Sequence, residues 1–191
     1  MTEITVESRQ LASAVERFIL HWGDMGNQWG VNRSVAQIHA LLYLSERPLT
    51  AEDVADTLGL ARSNVSNSVK ELLGWKLIRR VPVLGDRRDH FEAETDLYEM
   101  VTRIAQGRKE REIDPAAAAL RACMAEAEGD PKVSKVARER LREMQDFVEK
   151  LNRWYDQMLG VPPAKIMALI GMGTKVVNFL GFGRGKKAKE R

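Results

Sequence analysis

Between Ala61 and Glu94 the apolar period changes from that of a helix to that of a strand, and this switch leaves few folds open to the chain. From about Ala61 to Trp75, the residues Val65, Val69, Leu72 and Leu73 recur at helical spacing and give one apolar side. Leu77 to Leu84 is then β-branched and apolar with interspersed arginines. Gly85-Asp86 is a turn signal, and His90-Phe91-Glu92-Ala93-Glu94 alternates as a returning strand. Upstream, Ser34-Val-Ala-Gln37 reads as a capping box for a helix that buries Ile38, Leu41 and Leu42 and is ended by Pro48. Thr50-Ala-Glu-Asp53 offers a second cap, for a helix that turns Val54, Ala55 and Leu58 inward and stops at Gly59. Helix, turn, helix and basic hairpin in this order describe a winged helix. The expected fold class is mainly α with a small β-hairpin wing: a winged helix-turn-helix plus a C-terminal helical dimerisation region.

The flanks read as helix. Leu11, Val15, Phe18, Trp22, Met25 and Trp29 are spaced as one buried stripe. From Leu97 onward the chain is helical again, punctuated at Asp114-Pro115, Asp130-Pro131 and Val161-Pro162-Pro163, where each proline suits the first position of a new helix. Val133, Ala137, Leu141, Met144, Val148, Leu151, Tyr155 and Met158 form a seam suited to helix–helix association. A last helix, about Pro163 to Leu180, is apolar on most of its surface and expects cover from a second copy. The division expected is residues 1–113 for an N-terminal helix and the winged helix-turn-helix, 114–182 for a helical dimerisation and effector region, and 183–191 for a basic disordered tail.

The net charge of +3 says little, but its distribution says more. Ala61 to Phe91 carries seven Lys/Arg against three acids, and Gly183 to Arg191 five against one, so the rest of the chain is acidic. Stepping 100° per residue with Val65 inward, Ser63, Asn67 and Lys70 point outward, flanked by Asn64 and Ser66, with Arg62 at the N-terminal edge. Asn can pair with adenine, Lys and Arg can reach guanine or phosphate, and serines suit phosphate oxygens. The plainer alternative is an ordinary solvated helix surface. The hairpin tilts the balance, because Arg87 and Arg88 are expected at its tip, where a wing meets the minor groove, with Arg79, Arg80 and His90 near phosphates. The expected partners are double-stranded DNA and a second copy of the chain, in a homodimer on a rough palindrome. A protein-interaction module, or a helical enzyme fused to a vestigial reader, are the competing classes.

The run "TAEDVADTLGLARSNVSNSVKELLGWKLIRRVPVLGDRRDHFEAE", Thr50 to Glu94, resembles the MarR superfamily of winged-helix regulators, and "RKEREIDPAAAALRAC", Arg108 to Cys123, is similar to its GbsR-like branch. The resemblance covers roughly residues 10 to 130. It implies a dimeric, ligand-responsive repressor, with Ala61 to Trp75 as recognition helix and Arg87 and Arg88 at the wing tip. Ala61 stands where many relatives have a serine cap. The branch also implies a quaternary ammonium effector such as choline. An aromatic cage for it has candidates in Trp22, Trp29, Tyr43, Trp75 and Tyr98, although packing in the core or a dimer interface is the favoured reading of these residues.

Other chemistry finds no support. Cys123 is the sole cysteine, expected inert and partly buried, and it leaves no internal disulfide or Cys-based zinc site. His21, His39 and His90 lack metal-ligand spacing, and His39 fits the core of its helix. No catalytic arrangement is present, no cofactor or metal is expected, and Gly171-Met-Gly-Thr-Lys175 falls short of a phosphate loop. The first residues read as neither signal nor transit peptide, Ile166–Phe182 is too interrupted to span a membrane, and the cytoplasm is the compartment expected.

Overall fold

The computed structural model describes residues 11–173, and the expected basic stretch 183–191 and the expected continuation of the last helix to Leu180 lie outside them. The chain divides into two compact units, residues 1–107 and 108–191.

In the first unit, helix α1 (Ser13–Gln28) packs on α2 (Arg33–Tyr43). Two glycines permit the close crossing. A Cβ added at Gly26 would stand 2.6 Å from the Ala36 Cβ, and one at Gly23 would stand 2.6 Å from the Gln37 Cγ. This approach draws Ile19 and Gly23 to the buried side and leaves Val15, Phe18, Trp22 and Met25 half-buried. Trp29, expected on the buried stripe, is instead 64% exposed, because α1 ends at Gln28 and Trp29 caps it.

The start of α2 also differs from expectation. Asn32, not Ser34, is the N-cap, its side chain accepting from the Ser34 backbone N–H at 2.8 Å. Asn is as good a cap as Ser and sits earlier in the chain, so it takes the orphan donor first. Helix α3 (Ala51–Leu58) has the expected reciprocal box, Thr50 accepting from the Asp53 N–H while Asp53 accepts from the Thr50 N–H, and it ends at Gly59 with φ of 63°. Helix α4 (Arg62–Gly74) begins after Ala61, which offers no side-chain cap. Val54, Val65, Ile38 and Leu72 are the best-buried side chains, so α2, α3 and α4 meet at one core.

The sheet has three strands in the order β1-β3-β2, all antiparallel: β1 (Leu49–Thr50), β2 (Ile78–Val83) and β3 (Asp86–Ala93). The small strand β1 was not expected, and it changes β3. As the middle strand, β3 is covered near His90 and Phe91, so both are buried where alternation would have exposed one. Pro82 sits in edge strand β2 where the register shifts between Val81 and Val83, a place where a missing N–H costs no ladder bond. Helix α5 (Leu97–Arg108) follows, adding Met100 to the core.

The second unit opens with a π turn at Lys109–Ile113 that leads directly into α6 (Asp114–Gly129). Pro115 stands in the first turn of α6, as its position in the sequence leads one to expect. The wider π turn just before Pro115 accommodates its ring and its missing N–H. Lys109 Nζ lies 2.7 Å from Asp114 and 3.1 Å from Asp156, holding the turn against α7 (Lys135–Leu159). Pro131 falls in a turn rather than at a helix start, and Ser134 caps α7 through the Ala137 N–H. Pro163 does open α8 (Pro163–Met172). Along α7 the half-buried side is Ala137, Leu141, Val148 and Tyr155, while Met144, Phe147, Leu151 and Trp154 are exposed. No described helix is long and apolar enough to cross a membrane.

Candidate nucleic-acid interface

Helix α4 presents its polar side outward because Val65, Ser68, Val69 and Leu72 hold the opposite side in the core. Ser63, Ser66, Asn67 and Lys70 are all exposed, and among the described residues none of these four side chains has a hydrogen-bond or ion-pair partner. Asn64 behaves differently. It turns inward, donating from Nδ2 to the Ser34 Oγ at 2.9 Å and accepting from the Ser68 Oγ, so it fastens α4 to α2. Its expected place among base-reading groups does not agree with this geometry, since its amide is already engaged.

A groove of about 430 Å³ runs between α4 and the hairpin, lined among others by Arg62, Ser66 and Lys70 of α4, by Arg80 and Arg88 of the hairpin, and by Glu52 of α3. The arginines rest on carboxylates. Arg62 Nη2 is 2.5 Å from Glu52, Arg79 pairs with Glu92 across the ladder, and Arg80 Nε is 3.3 Å from Asp89. Arg88 grips Asp86 at 2.5 Å and reaches Glu52 at 3.4 Å. Hydrogen bonds from Arg88 hold the Asp86 carboxyl well below the usual carboxylate range and raise the guanidinium in turn. Exposed pairs of this kind contribute at most about 1 kcal/mol each, so phosphate can replace the carboxylate partner.

The hairpin corrects two expectations. Its tip is Leu84-Gly85, with Leu84 fully exposed and Gly85 at φ of 84°, whereas Arg87 and Arg88 lie within β3. Strand pairing continues to Val83 and Asp86, so the turn is shorter than five residues and the arginines flank it instead of forming it. Arg87 is exposed and has no ion-pair partner among the described residues. His90, expected near phosphate, is buried, its Nδ1 3.0 Å from the Arg88 carbonyl oxygen and its Nε2 3.5 Å from Asp86. It supports the ribbon from below.

The aromatic candidates separate. Trp22 and Tyr43 line a cavity of about 230 Å³ together with Phe18, His39, Leu97 and Met100. Trp22 and Tyr43 flank the His39 ring at centroid distances of 6.5 and 6.4 Å. Trp29 stands at the end of α1, Trp75 packs against Gly107, and Tyr98 does not line the cavity. His39 is 4% exposed, its Nε2 finds no hydrogen-bond partner among the described residues, and burial lowers its pKa to about 4. Sequence reasoning missed Glu52, Phe18 and Met100. Glu52 carries no local signal, since its partners lie 10 and 36 residues away. Cys123 is exposed rather than partly buried, and the described residues contain no grouping of His, Cys, Asp and Glu able to hold a metal ion.

Comparison with known proteins bears on this geometry. Residues 29–89 match the MarR family model. In fold, the helices of the first unit and the three-stranded sheet form a winged helix. A crystal structure of a transcriptional regulator superposes with a TM-score of 0.59 at 22% identity, covering 77% of this chain and 96% of that one. Two Bacillus subtilis (strain 168) proteins are similar in sequence. YvaV, whose name marks it as an HTH-type transcriptional regulator, is 24% identical over 89 residues, 47% of this chain and 50% of YvaV. OpcR, an HTH-type transcriptional repressor, is 22% identical over 86 residues, 45% of this chain and 46% of OpcR. The chain thus spans about half the length of these relatives.

Proposed function

We propose that this chain is a sequence-specific DNA-binding transcriptional regulator, acting in the cytoplasm as a repressor and not as an enzyme. The observation that carries the proposal is the outward, unpartnered side of α4, Ser63, Asn67 and Lys70, beside a ribbon rich in arginine. Lys70, Arg79, Arg80, Arg87 and Arg88 supply phosphate contacts whose strength falls steeply with salt. Ser63, Ser66 and Asn67 read base edges in the major groove, and Arg62 meets the backbone at the start of the helix. The likeness of residues 29–89 to MarR family regulators supports this reading, as does the similarity to the repressor OpcR. We place the chain in the GbsR-like branch on its Arg108 to Cys123 segment.

The active form proposed is a homodimer on a palindromic operator. The exposed residues Met144, Phe147, Leu151 and Trp154 of α7 and Met167 and Ile170 of α8 support it, because exposed apolar surface of this extent calls for a partner. Ligand response is assigned to the cavity of Trp22, His39 and Tyr43, where ring faces could hold a quaternary ammonium group. Titration with choline and betaine should change Trp22 fluorescence; an unchanged signal at millimolar ligand removes that assignment.

Selection of bound duplexes from a random pool tests the main reading. An inverted repeat should be enriched, and Lys70→Gln or Arg87→Ala should weaken binding to all sequences alike. Recovery of no preferred site would favour the protein-interaction module.

A further inference from the structure

Glu52 belongs neither to the recognition helix nor to the hairpin, yet its two carboxylate oxygens are shared between them. Oε1 accepts from Arg62 at the start of α4 at 2.5 Å, and Oε2 accepts from Arg88 in β3 at 3.4 Å. It is held in the first turn of α3, where the helix dipole favours an acid and where the Thr50–Asp53 capping box fixes the backbone. Glu52 lines the groove together with Ser66, Lys70 and Arg80. This is the arrangement a DNA phosphate requires: a two-oxygen anion between two guanidinium groups, with a further cation nearby.

We propose that Glu52 is an internal phosphate mimic that competes with the DNA backbone for Arg62 and Arg88 and holds down affinity for duplex of any sequence. The inference rests on the DNA-binding reading above and deepens it. Every phosphate that enters the groove must displace the carboxylate from both arginines and then remain beside its negative charge. The remaining acids near the groove do not have this position. Asp86 and Asp89 lie in the hairpin and move with the arginines they pair, and Asp53 is occupied by the Thr50 cap. Glu52 alone, among the described acids, spans the helix and the ribbon.

The test is Glu52→Gln, which keeps the shape and one acceptor oxygen but removes the charge and the second acceptor, with thermal melting to verify the fold. Binding is measured on a duplex selected from a random pool and on a random duplex, across a salt series. The expected result is tighter binding to both, by roughly fivefold to tenfold at low salt, with the logarithmic salt slope steeper by about 0.9 for each further phosphate neutralised. Unchanged or weaker binding to the random duplex overturns the proposal. Loss confined to the selected duplex would also overturn it and assign Glu52 to positioning the ribbon. If the wild-type protein binds neither duplex, the DNA-binding reading fails and this inference with it.

Discussion

At the scale of single residues, one side chain per surface carries the argument. Asn67 is exposed at the centre of the outward side of α4, so Asn67→Ala should relax preference at one base position at a cost of ~1–3 kcal/mol. Quantitative binding to a panel of singly substituted operators checks this; equal loss on all of them would remove Asn67 from base reading. His39 makes a separate prediction about stability. Its folded pKa of about 4 lies below the ordinary 6.5, so between these values the unfolded chain takes up a proton that the folded protein refuses. The sign is therefore fixed: stability is full above pH about 6.5 and is lost as pH falls toward about 4. The loss from this group is of the order of 3 kcal/mol. Denaturant melts of wild type and His39→Gln across that range should show a flatter profile in the variant. The sequence placed His39 in the core but could not show the missing partner of its Nε2, which depends on what α1 and α5 bring near it.

At the scale of elements, the legible features were those set by local chemistry. The Thr50–Asp53 box, the stop at Gly59 and the extent of α4 all depend on residues within a few positions of one another, and the fold agrees with each. Apart from the Asn32 cap of α2, which is local, much of what escaped was decided at longer range. Strand β1 exists only because β3 lies beside it, and that pairing buries His90. The end of the hairpin was set by how far β2 and β3 stay paired, which moved Arg87 and Arg88 off the tip. The crossing of α1 over α2 belongs here too. Gly26→Ala places a methyl against the Ala36 Cβ, which cannot rotate away, so it should destabilise the fold by about 1–3 kcal/mol. A chemical melt measures it; a neutral result would mean that the helices separate freely.

At the scale of the whole molecule, the two units call for different tests. The exposed apolar side of α7 predicts association through residues 108–173. The proposed dimer should give way to a monomer in sedimentation of Phe147→Glu with Leu151→Glu, and a wild type and variant of equal mass would remove α7 as the association surface. The proposed DNA binding belongs to the winged unit. Its arginines are paired with Glu52, Asp86, Asp89 and Glu92, and the overall net charge gave a weak signal because the acidic remainder of the chain offsets the basic residues of 61–91. Lys70 is exposed on α4 without an ion-pair partner among the described residues, which makes it a direct reporter. Acetylation footprinting by mass spectrometry, with and without a selected duplex, measures its accessibility. Protection of Lys70 on binding, with Lys135 and Lys150 of α7 still labelled, is the predicted result. Lys70 labelled at the same rate in the complex would contradict the assignment of α4 as the helix that enters the groove.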